Sequence, residues 1–173
     1  MAGDKFLYQN SGVITEKAAN QSSAGAGDAG KVVALDSTGR IDSTMMPVGL
    51  GAEYDTIIAS ENLTAGNLVN IWNNSGVANV RKADATTVGK EANGFVLSAV
   101  TANGSNTAAV YRISQSNTQV SGLTPGASYY LDTTAGGITA TPPSASGNVI
   151  QYVGKAISAT VLAFDPKNTI VLA

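Results

Sequence analysis

The chain has 173 residues and contains neither cysteine nor histidine. Those two absences remove disulfides, thiolate nucleophiles, imidazole bases and most zinc or copper sites together. Folding must therefore rest on burial and backbone pairing. Aromatic residues make up only 6% while hydrophobic residues reach 43%, so the expected core is thin and built from Val, Ile, Leu and Ala. Charged residues are only 13%, against about a quarter in ordinary soluble domains. A surface so poor in charge is expected to be hidden in an oligomer. The net charge is −2, and Arg81-Lys82 is the only adjacent pair of cations. A nucleic-acid binder would carry a basic stripe, so direct contact with DNA or RNA is not expected. No apolar run approaches the roughly 20 residues of a membrane helix, so no membrane partner is expected. The first ten residues, Met-Ala-Gly-Asp-Lys-Phe-Leu-Tyr-Gln-Asn, lack the apolar core of a signal peptide; the expectation is a protein made and used in a cytoplasm.

What the chain does contain is turn chemistry, with 19 glycines among many Ser, Thr and Asn. Two regions differ in kind. Residues 1–52 are poor in long apolar patterns, and the small-residue stretch from Ala18 to Gly30 can bury little. It is expected to be extended or mobile unless a partner holds it. A brief helical turn is expected at Gly12–Ala19. Lys31-Val-Val-Ala-Leu-Asp36 and Arg40-Ile-Asp-Ser-Thr44 flank Ser37-Thr38-Gly39, which predicts a hairpin with Gly39 in the left-handed position. The apolar tag Met45-Met46-Pro47-Val48-Gly49-Leu50-Gly51 follows it. That tag either packs under the main domain or docks onto another protein.

Residues 53–173 read as closely spaced strands. The candidates are Thr56–Ala59, Gly66–Trp72, Val77–Ala83, Gly94–Val100, Ala108–Ile113, Thr118–Ser121, Ser128–Leu131, Gly137–Ala140, Val149–Ile157, Thr160–Phe164 and Thr169–Leu172. Turns such as Asn73-Asn74-Ser75-Gly76, Asn93-Gly94, Asn103-Gly104 and Pro125-Gly126 separate them. This pattern predicts an all-β fold: a small β-barrel or β-sandwich domain, jelly-roll or β-tulip-like, preceded by an extended N-terminal arm.

The search for chemistry returns little. After position 60 the acidic residues are Glu61, Asp84, Glu91, Asp132 and Asp165. Each lies in or beside a predicted turn, where a carboxylate commonly caps backbone N–H groups. No Asp-x-Asp-x-Asp series offers a calcium loop. Gly25-Ala26-Gly27-Asp28-Ala29-Gly30 matches the spacing of a phosphate loop but lacks the flanking strand and helix. No enzyme, cofactor or metal is expected. The single tryptophan, Trp72, beside Ile71 in an apolar strand, reads as core or subunit interface. Tyr8, Tyr54, Tyr111, Tyr129, Tyr130 and Tyr152 could form a glycan-facing patch only if several share one face.

Two stretches carry a resemblance. Gly30-Lys-Val-Val-Ala-Leu-Asp-Ser-Thr-Gly-Arg-Ile-Asp-Ser-Thr-Met-Met-Pro47 is similar to a Lys-Val-x-x-Leu-Asp-x-x-Gly-x-Ile-Asp segment of tailed-bacteriophage virion proteins. The run from Leu123 to Ala173, with Leu123-Thr-Pro-Gly-Ala-Ser-Tyr-Tyr-Leu-Asp132 and Gly147-Asn-Val-Ile-Gln-Tyr-Val-Gly-Lys-Ala156, resembles the β-domain of phage capsid decoration, or cement, proteins. The segment from Leu63 to Val100 is similar in style. The resemblance implies a non-enzymatic homotrimer on the outside of a phage head, bridging neighbouring copies of the major capsid protein through N-terminal arms. On that reading Val32, Val33, Leu35, Ile41, Met45, Met46, Pro47 and Leu50 contact the shell or a neighbouring subunit. Leu68, Ile71, Trp72, Tyr129 and Val149 form the trimer interface. Tail-fibre proteins share similar segments, so the alternative is a receptor- or glycan-binding domain of a tail or head fibre.

Overall fold

The computed structural model describes residues 5–46 and 54–173, and its contacts divide into two units, Met1–Gly51 and Ala52–Ala173. The fold is all-β. In the first unit, β1 (Lys5–Asn10) and β2 (Val13–Ala18) form an antiparallel hairpin in the register Lys5↔Ala18 to Asn10↔Val13. The helical turn expected at Gly12–Ala19 is therefore a strand. Its cause is the two-residue loop Ser11-Gly12, with φ of 52° and 87°. Two successive left-handed residues match the twist of a tight hairpin, and glycine takes the second without steric cost.

The second unit begins with a closed barrel of β3 (Tyr54–Ala59), β4 (Leu68–Asn74), β5 (Val77–Lys82), β6 (Gly94–Val96) and β7 (Thr107–Tyr111). Their order is β3-β5-β4-β6-β7, and β7 closes the ring onto β3. All its pairs are antiparallel except β3–β5. The β4–β5 turn is again Ser-Gly, at Ser75-Gly76, with the Asn73 Oδ1 accepting the Gly76 N–H at 2.7 Å.

A second sheet follows, in the order β10-β9-β12-β13-β8. It comprises β8 (Ser116–Asn117), β9 (Ser128–Leu131), β10 (Ile138–Thr139), β12 (Tyr152–Ser158) and β13 (Val161–Phe164). A short ribbon joins β11 (Val149–Ile150) to β14 (Ile170–Val171). The expected strand at Thr118–Ser121 lies two residues earlier, as β8, and the expected Val149–Ile157 is divided at Gln151 into β11 and β12. At Gly154 the strands touch: a Cβ there would stand 2.1 Å from the Ala163 carbonyl oxygen. The β12 register shifts on both sides of that contact.

Alternation of side chains along β4 and β6 builds two cores from adjacent residues. Val69 and Val96 join Ala59, Leu63, Val80, Ala108 and Val110 in one cluster. Their neighbours Leu68 and Phe95 join Leu131, Val153, Leu162 and Phe164 in the other. Phe95 meets Phe164 edge-on at 5.4 Å and stacks on Tyr111 at 5.6 Å. The second cluster thus binds barrel to sheet. Each such large side chain, fully buried, contributes roughly 1.5–3 kcal/mol.

Candidate functional site

The expected hairpin between Lys31 and Thr44 does not form, although its turn does. Gly39 is left-handed at φ 78° and its N–H reaches the Asp36 carbonyl at 3.0 Å. The flanks meet once, where the Asp36 N–H donates to the Arg40 carbonyl at 2.7 Å, and beyond that they follow carboxylates. The Asp36 Oδ1 accepts the Thr38 N–H at 2.8 Å, the Thr38 hydroxyl at 2.6 Å and the Arg40 N–H at 3.0 Å. The Asp42 Oδ1 accepts the Thr44 N–H at 2.9 Å and its hydroxyl at 2.6 Å, starting the 3-10 turn Ser43–Met45. These local bonds take N–H groups that a ladder would have used. On the other side Asn20 claims the strand backbone, donating to the Val32 carbonyl at 2.8 Å and accepting from the Ala34 N–H at 2.7 Å.

The small-residue stretch is likewise tied by a carboxylate. Asp28 accepts the Ala24 N–H at 2.6 Å and pairs with the Lys31 ammonium at 2.6 Å. The ammonium is the main cause that lowers the Asp28 carboxyl to about 2, with the Ala24 N–H and Asn20 adding to it. Asp36 is lowered chiefly by the Thr38 hydroxyl, then by the Arg40 and Thr38 N–H groups. Asp42 is lowered by the Thr44 hydroxyl and N–H. Polar loop chemistry, in place of a core, gives this segment its shape.

The consequence is an apolar surface. No described residue of the first unit is buried. Val32, Val33, Leu35, Ile41 and Met46 are exposed, Leu35 at 54%, and Met45 is half-buried. Pro47 and Leu50 lie outside the described residues. The β1–β2 hairpin adds residues that sequence reasoning did not single out: Leu7 at 77% exposure, Ile14 at 69%, and Val13 and Tyr8. Leu7 and Ile14 share one face with the Lys5–Glu16 ion pair; Tyr8 and Val13 lie on the other, where Lys17 stands 4.8 Å over the Tyr8 ring.

Three of the five residues expected at a trimer interface lie in the core. Leu68, Val149 and Tyr129 are buried inside their own chain, so they have no surface to give a second copy. Their apolarity reflects the core. Tyr129 reached it by accepting the Thr124 N–H on its hydroxyl at 2.9 Å. Ile71 and Trp72 are half-buried in the barrel wall. The Trp72 ring lies 4.8 Å beneath the Arg81 guanidinium, and its indole N–H donates to the Ser60 hydroxyl at 3.2 Å. Arg81 also donates to the Asn70 side chain and the Gly89 carbonyl, so it braces the barrel.

The tyrosines of the β-domain fall into two separate pairs and one buried ring. Tyr54 and Tyr111 adjoin on the barrel, Tyr130 and Tyr152 adjoin on the second sheet, and Tyr129 is buried. The five carboxylates singled out in the β-domain all serve local structure. Glu61 accepts the Lys82 N–H, Asp84 the Thr86 N–H, Glu91 the Gly89 N–H and Asp132 the Thr133 N–H, while Asp165 pairs with Lys167. Among the described residues no three acidic side chains converge as a metal site would require, and no helix is long and apolar enough to cross a membrane. No family model, curated protein or solved structure matches the chain.

Proposed function

We propose that this chain is a structural virion protein: a homotrimeric decoration protein that binds the outer surface of a phage head and bridges neighbouring major capsid subunits through its N-terminal arm. One observation carries the reading. The described arm holds nine exposed large apolar residues, from Leu7 to Met46, and buries none of its own. An isolated two-stranded hairpin is marginal in water, so a surface of this kind gains most by being covered. The likeness of residues 30–47 to virion segments supplies the identity of the cover. A ligand that binds only the assembled shell stabilises it by an amount that grows with the logarithm of one plus its concentration over its Kd. Three arms on one trimer add avidity when all reach their sites.

The glycan-binding reading is less well supported, because it needs a row of rings and the described tyrosines are scattered. The arm reading is tested by the triple variant Val33→Asp, Leu35→Asp, Ile41→Asp, sedimented with bare heads. None of the three is buried, so the circular dichroism should match the parent while co-sedimentation falls by roughly 100-fold or more, since even an uncharged polar group left unpaired in an apolar contact costs on the order of 1–3 kcal/mol and a carboxylate costs more. Undiminished binding would refute the arm as the docking element.

A further inference from the structure

The tripeptide Ala-Asn-Gly occurs twice, at 92–94 and at 102–104, and the fold treats the two copies oppositely. Asparagine followed by glycine is the dipeptide most open to succinimide chemistry, because no side chain shields the glycine nitrogen. At 92–94 the fold forbids the approach. Gly94 is buried in β6 between β4 and β7, where a Cβ would stand 2.6 Å from the Tyr111 carbonyl oxygen and from Val110 Cγ1. The Asn93 Oδ1 is held by the Ile71 N–H at 2.8 Å and the Asn70 amide at 3.1 Å, and its own N–H by the Val69 carbonyl at 2.8 Å.

At 102–104 the same residues form the tip of the loop between β6 and β7. Asn103 and Gly104 are exposed, Gly104 has nothing within 4 Å of its Cβ position, and its φ is +83°. Among the described residues no hydrogen bond engages the Gly104 N–H. The Asn103 Oδ1 accepts two backbone N–H groups, from Ser105 at 2.9 Å and Asn106 at 2.7 Å. Both asparagine Oδ1 atoms thus accept two N–H groups, and the difference lies in the glycine that follows: Gly94 is packed inside the barrel while Gly104 stands in open space. The base of the loop is fixed by the Asn62 Oδ1, which accepts the Ala102 N–H at 2.9 Å, and by the Asn106 amide on the Thr101 carbonyl at 2.8 Å.

We propose that Asn103 is a site of spontaneous deamidation, selected over its twin at Asn93 by the fold. The Gly104 nitrogen loses its proton to solvent base and attacks Asn103 Cγ. The tetrahedral adduct expels ammonia and leaves a five-membered succinimide. Water then opens the ring at either carbonyl, giving aspartate or isoaspartate. Ammonia leaves, water enters, and no oxidant or cofactor is involved. An aspartate product keeps an acceptor for both N–H groups, so the loop survives; isoaspartate lengthens the backbone and disrupts it. Either product adds one negative charge at one end of the barrel.

The test is ageing of the full-length native protein at mildly alkaline pH, followed by peptide mass mapping. Conversion at position 103 should exceed that at 93 by roughly tenfold or more, as local protection of this order separates loops from barrel strands. Comparable conversion at the two positions, or none at 103, overturns the proposal. Ageing in urea supplies the second arm: with the fold removed, the identical tripeptides should convert at similar rates. A preference for 103 that persists in urea would assign the difference to flanking sequence and overturn the structural account.

Discussion

Gln151 shows how much one polar side chain decides at the scale of a residue. It is buried to 4% exposure, its Nε2 donates to the Ala92 carbonyl at 3.0 Å, and its Oε1 accepts the Ala92 N–H at 2.7 Å. The amide presents donor and acceptor along one edge, which is what a lone backbone residue needs. Gln151→Leu keeps the volume but leaves a buried N–H and C=O unpaired, at roughly 1–3 kcal/mol each. We expect the urea midpoint to drop with an unchanged slope; an unmoved midpoint would mean the Ala92 groups find other partners. In the sequence Gln151 is only one polar letter in the run Val149–Ile157. Its partner lies 59 positions away, a separation that local pattern does not encode. The same limit explains Leu68, Tyr129 and Val149: apolar strand residues look alike whether they face a core or a second copy.

At the scale of elements, most of the β-domain was legible because strands and turns announce themselves locally. Period-two burial in β7, β9 and β13 follows directly from residue alternation. The β1–β2 hairpin carried an equally local signal that went unread. Asn-Ser-Gly-Val stands at 10–13 and again at 74–77, and both copies make the same two-residue turn. The hairpin expected at 31–44 failed for the opposite reason, since Asp36 and Asp42 compete for backbone N–H groups. Those carboxylates also set a pH dependence. Asp28, Asp36 and Asp42 all lie below the ordinary carboxylate range in the folded arm, whereas the unfolded value is about 3.9. Their contribution is complete above the unfolded value and is lost as pH falls through the folded ones. The arm loops should keep their shape at neutral pH and loosen in acid, the Asp28 contacts near its value of about 2. Amide NMR shifts of Ala24, Thr38 and Thr44 followed against pH measure this. Midpoints near 4 in all three would contradict it.

For the whole molecule, every buried residue among those described belongs to 54–173. Removal of residues 1–51 should therefore leave a β-domain with a single cooperative melt, and a broad or absent transition would show that the arm completes the fold. Light scattering should give the full-length chain a mass three times that of the monomer; a monomer at high concentration would remove the trimer from the proposed function. With Leu68, Tyr129 and Val149 buried, the large apolar residues that the described β-domain could offer to the proposed trimer are the half-buried Ile71 and Trp72 and the exposed Tyr54, Val77, Val88, Ile113, Ile157, Ile170 and Val171. The architecture also bears on biosynthesis. The strand β12 sits between β9 and β13, and Phe164 supplies one wall of the cluster around Phe95. Long-range pairings of this kind form late. A ribosome must release nearly the entire polypeptide before the Phe95 cluster can close, and a nascent chain halted at Gln151 would expose that half-lined cavity to chaperones and proteases.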